Sequence, residues 1–81
     1  MSILPSQCRA ARALIDVDQA DLARRAVVPR HIIADFENGS VTPSESNLAA
    51  IPTALEAAGV IFVDENNEGP GVRLRKAHGQ G

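Results

Sequence analysis

The chain is poor in the residue types that build disulfide frameworks, large aromatic cores and membrane spans. Its 81 residues include no tryptophan or tyrosine, two phenylalanines and one cysteine, Cys8. A single cysteine cannot form an intramolecular disulfide, and no long apolar run or charged and then apolar leader indicates a membrane span or secretion. We therefore expect a cytoplasmic protein that makes no contact with a membrane.

The length excludes most enzymes. Eighty-one residues suffice for one small domain, without room for a second core or an enclosed substrate pocket of the usual size. His31 and His78 have no cysteine or carboxylate at metal-ligand spacing, and the EGPG run at 68–71 lacks the lysine and the spacing of a phosphate-binding loop. We expect no enzymatic activity, no cofactor and no metal.

The first third of the chain has the apolar spacing of short helices. Pro5 suits the first position of a helix that runs to about Leu14, and Asp18 can cap a second helix, with Asp21 completing a capping box. The predicted buried face of the first helix comprises Cys8, Ala11 and Ile15. That of the second comprises Leu22, Ala23 and Ala26. The spacing makes Cys8 a buried structural thiol.

A tight turn separates the second helix from a third. The run VVP at 27–29 interrupts the helical pattern, and Ile33 and Phe36 then recur three residues apart as the inward face of the next helix. Ala23 offers a small side chain where the two helices would cross. Two short helices joined in this way predict a helix-turn-helix.

These residues resemble the helix-turn-helix domains of phage repressors, the lambda-repressor-like or XRE family of bacterial regulators. The resemblance spans about residues 7–59 and rests on positions in register, namely Arg12, Gln19, Ala20, Leu22, Ala23, Val28, Ile33, Phe36, Glu37, Asn38, Gly39 and Pro43. It implies a mostly α bundle of four to five helices. It also implies a dimeric transcription regulator, a repressor by analogy, that binds double-stranded DNA and is controlled by its own concentration, as in phages and other mobile elements.

In the resembled family the outer face of the third helix reads base edges. The resemblance implies that Arg30 pairs with guanine, that His31 meets a purine acceptor, and that Asp35 accepts from a cytosine amino group. Ile32 would point outward toward a thymine methyl group. The alternative is an ordinary solvated helix face, on which Asp35 holds Arg30 in place.

The resemblance also implies residues that contact the DNA backbone and residues that hold the fold. Gln19 and Asn38 are the implied phosphate contacts, with Arg9 as a further candidate. Helix capping and turn formation are the structural alternatives for Gln19 and Asn38. Arg12 and Glu37 resemble a buried ion pair that joins the first helix to the end of the third.

Two residues of the turn depart from the family pattern. Val27 stands where the family usually has glycine, and a β-branched residue at positive φ costs on the order of 1–3 kcal/mol. Pro29 replaces the usual serine or threonine cap. These departures predict a strained turn that differs slightly in shape.

A fourth helix is predicted beyond the loop that follows Gly39. Over residues 44–58 an apolar side chain recurs every three or four residues, and Gly59 ends the pattern. Pro52 lies inside this run and removes one helical hydrogen bond. We therefore expect a kink, or two short helices that meet near Ile51.

After Gly59 the spacing of the apolar residues changes from the 3.6-residue period of a helix to the two-residue period of a strand. Residues 60–63 and 72–75 read as two strands joined by the turn-rich segment 64–71, which predicts a β-hairpin. Such a hairpin is marginal by itself. It must either pack Phe62 and Leu74 on the helices or pair with a second copy of the chain.

We assign the hairpin to dimerisation. The predicted organisation is a DNA-binding domain over 1–59, a dimerisation hairpin over 60–76 and a disordered tail over 77–81. The residues assigned to the dimer contact are Val60, Ile61, Phe62, Val63, Val72 and Leu74. On this interpretation, truncation after Gly59 leaves a folded or nearly folded monomer.

The charge balance favours a second interpretation of the same fold. The formal net charge is −2, and residues 1–43 carry five arginines against five acidic residues, whereas DNA-binding domains are usually basic. An antitoxin or antiactivator, which would bind another regulatory protein through its acidic surface and hairpin edge, is the main alternative. A weaker one is an architectural DNA-binding protein.

Overall fold

Four helices precede a two-stranded antiparallel hairpin in the computed structural model, which describes residues 2–64 and 69–75. The elements are α1 (Pro5–Ile15), α2 (Gln19–Ala26), α3 (Arg30–Glu37), α4 (Glu45–Ala57), β1 (Val60–Val63) and β2 (Gly71–Leu74). The mostly helical fold class is confirmed. The tail predicted for 77–81 lies outside the described residues.

Local chemistry explains where the helices begin. Pro5 occupies the first turn of α1, and the Leu4 backbone N–H donates to Gln7 Oε1 over 2.9 Å. Asp18 caps α2 as predicted, because its Oδ1 accepts from the Asp21 backbone N–H over 2.8 Å. The side chain of Asp21 does not return that bond; its carboxylate accepts from Arg24 and from Arg25 instead. Only one half of the predicted capping box forms.

Proline does not divide the fourth helix. α4 runs through Pro52 as one helix of 13 residues, so of the two predicted alternatives the pair of short helices is wrong and the kink stays a prediction. A proline inside a helix costs about 3 kcal/mol. Burial of Ile51, Pro52 and Leu55 against the other elements offsets that cost.

One hydrophobic core takes side chains from all four helices and from β1. Its buried apolar members are Ile3, Cys8, Ala11, Leu22, Ala23, Ala26, Val28, Ile33, Phe36, Ile51, Leu55, Val60 and Phe62. The predicted inward faces of α1, α2 and α3 are confirmed. Alanine is frequent where helices meet, which allows short helices to approach closely.

The hairpin packs on α1 and α4 through one face. Val60 and Phe62 alternate with the half-buried Ile61 and Val63 and are only 2% and 9% exposed. Leu74, opposite Val60 in the ladder, remains 47% exposed. Of the two residues expected to pack on the helices, Phe62 therefore does so, whereas Leu74 is exposed and Val72 is the residue of β2 that packs against the core.

A buried glutamine attaches the hairpin to α1. Gln7 Nε2 donates to the carbonyl of Val63 over 3.2 Å and to that of Gly71 over 3.0 Å. Val63 and Gly71 are partners across the ladder, so one amide group holds both strands.

These contacts change the expectations for the hairpin. The side chains of Val60 and Phe62 belong to the core of a single chain, and a dimer contact on the hairpin would be left to Ile61, Val63 and the exposed part of Leu74. Truncation after Gly59 would open that core. The expectation that residues 1–59 stay folded by themselves is therefore not supported.

Candidate nucleic-acid interface

The turn between α2 and α3 places a valine in the left-handed region of backbone conformation. Val27 has φ 57° and ψ 50°, and its backbone N–H donates back to carbonyls of the last turn of α2. This geometry is the one that glycine adopts without strain. The strained turn predicted from the sequence is confirmed, and Pro29 precedes α3 with no side-chain cap.

α3 has one face in the core and one face in solvent. Ile33 and Phe36 are buried, whereas Arg30 and His31, in its first turn, are exposed. Ile32 and Asp35 are half-buried. The four residues assigned to base reading thus lie on the part of α3 that the core leaves uncovered.

The polar side chains of this face have no partner in the part of the chain that the structure describes. No side-chain hydrogen bond or ion pair there engages Arg30, His31 or Asp35. The alternative in which Asp35 holds Arg30 is therefore not seen. The arginine and histidine side chains are exposed, and the Asp35 carboxylate belongs to a half-buried residue.

A cleft at the other end of α3 brings together the three residues assigned to phosphate contacts. Arg9 from α1, Gln19 from the start of α2 and Asn38 after α3 line it, together with Arg12, Ala34 and Glu37. These residues come from three separate stretches of the sequence. Tertiary structure alone makes them neighbours.

Glu37 is the centre of a buried hydrogen-bond cluster beside this cleft. Its side chain is 3% exposed, and Arg12 pairs with it in a bidentate manner, with Nη2 to Oε1 and Nε to Oε2 both at 2.7 Å. Cys8 Sγ donates to Oε2 over 3.0 Å, and Gln19 Nε2 donates to Oε1 over 3.1 Å. We call Glu37, Arg12, Cys8 and Gln19 the Glu37 cluster.

Opposing effects set the ionisation of the cluster. Burial raises the pKa of Glu37, but the hydrogen bonds from Arg12, Cys8 and Gln19 outweigh it and hold the pKa below its ordinary value. Burial, followed by the hydrogen bond to this carboxylate, raises the pKa of the Cys8 thiol. Glu37 is therefore ionised and Cys8 remains a protonated donor.

The ion pair expected from the sequence was only part of this arrangement. Sequence reasoning anticipated Arg12, Glu37 and the burial of Cys8, but it missed the thiol as a donor and the bond from Gln19. It also missed Gln7, although a glutamine three residues after a helix cap is a recognisable signal. No local signal relates Cys8 to Glu37, because 29 positions separate them.

The residues of the cleft are partly engaged within the chain. Arg9 Nη1 donates to the main-chain carbonyl of Glu37. Asn38 Oδ1 accepts from the Ser40 backbone N–H over 2.8 Å, which leaves the amide NH₂ of Asn38 directed to other partners. Gln19 is half-buried and holds Glu37. The turn role expected as the alternative for Asn38 is thus seen beside an open cleft, whereas Gln19 holds Glu37 and does not cap a helix.

The sequence profile of the helix-turn-helix family matches residues 9–57, which include all of α2, α3 and α4. The chain belongs to the XRE-type helix-turn-helix family. Helix-turn-helix domains of this family are DNA-binding domains of transcription regulators, so α2 and α3 form the DNA-binding motif of this chain. No curated protein matches the chain. The helix-turn-helix match ends before β1, and the hairpin lies outside it.

The part of the chain that the structure describes contains neither a membrane-spanning helix nor a metal-binding cluster. Over residues 2–64 and 69–75, no helix is long and apolar enough to cross a membrane. The same residues contain no group of three or more histidine, cysteine or acidic side chains placed to hold a metal ion.

Proposed function

We propose that the chain is a dimeric, sequence-specific transcription regulator that inserts α3 into the major groove of a palindromic operator. The observation that carries this proposal is the division of α3 into a buried face and an exposed, unpartnered polar face within the described residues. Because Ile33 and Phe36 hold the helix in the core, the backbone positions that carry Arg30 and His31 are fixed relative to the domain. Such a rigid presentation is what base reading requires.

The base contacts follow from donor and acceptor chemistry. Arg30 carries a forked donor suited to guanine O6 and N7, and His31 can donate to a purine acceptor. Asp35 can accept from a cytosine amino group, although the same carboxylate repels phosphate. Ile32 packs against a thymine methyl group.

The phosphate contacts use the cleft of Arg9, Gln19 and Asn38. Arg9 supplies positive charge, and the amide NH₂ of Asn38 supplies a donor that the turn does not use. Gln19 lies at the first position of α2, where backbone N–H groups also favour an anion. Its bond to Glu37 would hold that end of α2 in position during binding.

Dimerisation completes the proposed function. One domain reads about half a site, and two recognition helices must lie one DNA turn apart, roughly 34–36 Å. The outward residues of the hairpin, Ile61 and Val63, and the exposed part of Leu74 are the proposed contact, whereas Val72, opposite Phe62 in the ladder, packs against the core. Ile61→Lys should make the protein sediment as a monomer while it remains folded. A folded Ile61→Lys dimer would move the interface elsewhere.

Selection of bound sequences from random duplex DNA, at stated salt, tests the proposal most directly. We expect a palindromic consensus. Arg30→Ala should then weaken binding by about 1–3 kcal/mol and relax the preference at one base pair in each half-site, without changing the melting temperature. Equal affinity and selectivity of Arg30→Ala and the parent protein would contradict the base-reading role.

The protein-interaction alternative is favoured by one specific observation. Positive and negative charges balance over residues 1–43, and within that segment Arg9 and Gln19 are engaged by Glu37. An antitoxin or antiactivator would use this neutral surface to bind a regulatory protein. If the selection yields no enriched sequence at low salt, this alternative replaces the operator-binding proposal.

The proposed setting is that of a small cytoplasmic repressor of a mobile element. Control by protein concentration is the mechanism that we propose for it. Repression or activation then depends on where the operator lies relative to the promoter. This setting rests on analogy with the family.

A further inference from the structure

Val27 is unfavourable within its own chain in two independent ways. It is β-branched yet adopts φ 57°, and it is 88% exposed, the highest value among the large apolar side chains that the structure describes. Glycine at this position would remove the strain and the exposed apolar surface together. Neither local conformation nor burial therefore accounts for a valine. Strained residues of this kind cluster at sites that contact other molecules.

Val27 lines an open apolar groove with charged residues at its rim. The floor of the groove is formed by small or apolar side chains, and Arg24 and Arg30 complete the lining. The floor consists of Ala20, Ala23, Val27, Val28 and Pro29. Both arginines are exposed. Arg24 is 3.0 Å from Asp21, but an exposed pair of this kind contributes little and can be exchanged for another anion.

The position of the groove indicates what occupies it. The major groove of DNA is about 12 Å wide, and a helix with its side chains is about 10–12 Å across. A recognition helix therefore fills the groove, and the chain that enters the helix must pass along a wall of it. Arg30 is the first residue of α3, and Val27 lies three positions before it. The wall is sugar and phosphate, which matches an apolar floor between two arginines.

We propose that this groove, named here the turn groove, holds the sugar–phosphate backbone that borders the half-site. Val27 packs against a deoxyribose and Arg24 faces the neighbouring phosphate, while Arg30, at the α3 end of the groove, reaches past the backbone to the base edge. This inference rests on the proposed function, because it requires α3 in the major groove. It adds a contact surface at the turn, where the sequence departs from the family pattern.

Val27→Gly and Val27→Asn test the turn groove, because both residues tolerate positive φ and neither provides the apolar contact. We expect the melting temperature to rise by about 2–6 °C as strain is removed. Affinity for the duplex recovered by selection should fall about threefold to tenfold. The dependence of affinity on salt should stay unchanged, since no charge is lost, whereas Arg24→Ala should reduce the salt slope by about one. Leu14→Gln, an exposed apolar residue of α1 outside the groove, is the matched control and should leave affinity unchanged.

The outcomes separate this inference from the function on which it rests. If the Val27 variants bind the duplex as tightly as the parent while Arg30→Ala binds more weakly, the turn groove does not hold DNA and the proposed function stands. An acidic protein partner would then be the better occupant. If Arg30→Ala also binds as the parent does, the proposed function fails and the inference fails with it. A fall in melting temperature for Val27→Gly, or a changed salt slope for Val27→Asn, would likewise overturn the inference.

Discussion

The two ends of α3 contrast sharply. At its C-terminal end, the Glu37 carboxylate accepts hydrogen bonds from Arg12, Cys8 and Gln19. At its N-terminal end, Arg30 and His31 are exposed and have no partner within the described residues. The chain therefore pairs the polar groups of one end internally and leaves those of the other exposed to solvent.

This contrast explains how so short a helix can present a defined surface. α3 has eight residues, and an isolated helix of that length is unstable in water. Packing of Ile33 and Phe36 fixes its inner face, and the Glu37 cluster ties its end to α1 and α2. The exposed end can then carry polar residues without a contribution to stability from them.

The largest expected effect is the loss of stability on removal of Glu37, at the hydrogen-bonded end of α3. Glu37→Ala should lower the free energy of unfolding by about 3–5 kcal/mol, because Arg12 would be left partly buried without its partner. Thermal denaturation measures the loss. Arg30→Ala on the same helix is the matched control and should unfold at the temperature of the parent. Similar melting temperatures for Glu37→Ala and the parent would show that the cluster is not a stabilising contact.

The hairpin adds to the packed part of the molecule, and its buried and exposed apolar residues should respond differently to truncation. Phe62→Ala should cost about 3 kcal/mol, since Phe62 lies in the shared core. Leu74→Ala, on the neighbouring strand and about half exposed, should cost less than about 1 kcal/mol. Chemical denaturation of both variants provides the measurement. Equal costs would mean that the hairpin does not belong to the core.

The contrast between the ends should also appear in the dependence of stability on pH. The pKa of Glu37 is lowered on folding, so its contribution is complete above its unfolded pKa, about 4.3, and is lost as pH falls through the folded value. Unfolding followed from pH 7 to pH 2 should show this acid loss. Glu37→Gln should flatten that part of the curve, whereas Glu45→Gln, an exposed charge control, should leave it as in the parent. An unchanged curve for Glu37→Gln would contradict the inferred ionisation.

The smallest expected effect is that of a substitution on the exposed face of α3. Asp35→Asn removes a negative charge from the face proposed to meet DNA, and should tighten binding to unrelated duplex DNA about threefold to tenfold. Selectivity for the chosen operator should fall. Stability should change by less than about 0.5 kcal/mol, because Asp35 makes no side-chain bond within the described residues. Weaker binding to unrelated DNA would show that Asp35 does not face phosphate.

Much of the fold could be predicted from local patterns because its causes are local. Asp18 and Gly39 mark helix ends through their own backbone and side-chain chemistry, and the strained turn at Val27 follows from its place in the pattern. The period change after Gly59 predicted the hairpin. Pro52 was the exception, since the burial that holds α4 together around it comes from other elements.

The candidate site was predictable in its residues but not in its arrangement. The outward face of α3 followed from the three-residue spacing of Ile33 and Phe36, which fixes the inner face and leaves Arg30, His31 and Asp35 on the outer one. The cleft shared by Arg9, Gln19 and Asn38 required the packing of three segments. A sequence pattern does not give the spatial distance between segments that are far apart in the chain.

The sequence by itself determined the helices, the turn, the hairpin and the ion pair of Arg12 with Glu37, because spacing, caps and family register specify them. Only the tertiary structure decided that Cys8 donates to Glu37, that Gln7 holds both strands of the hairpin, and where Val60 lies. Those contacts join residues far apart in the chain. An unpaired donor or acceptor in the core would cost about 1–3 kcal/mol. The buried polar groups are therefore hydrogen-bonded to each other.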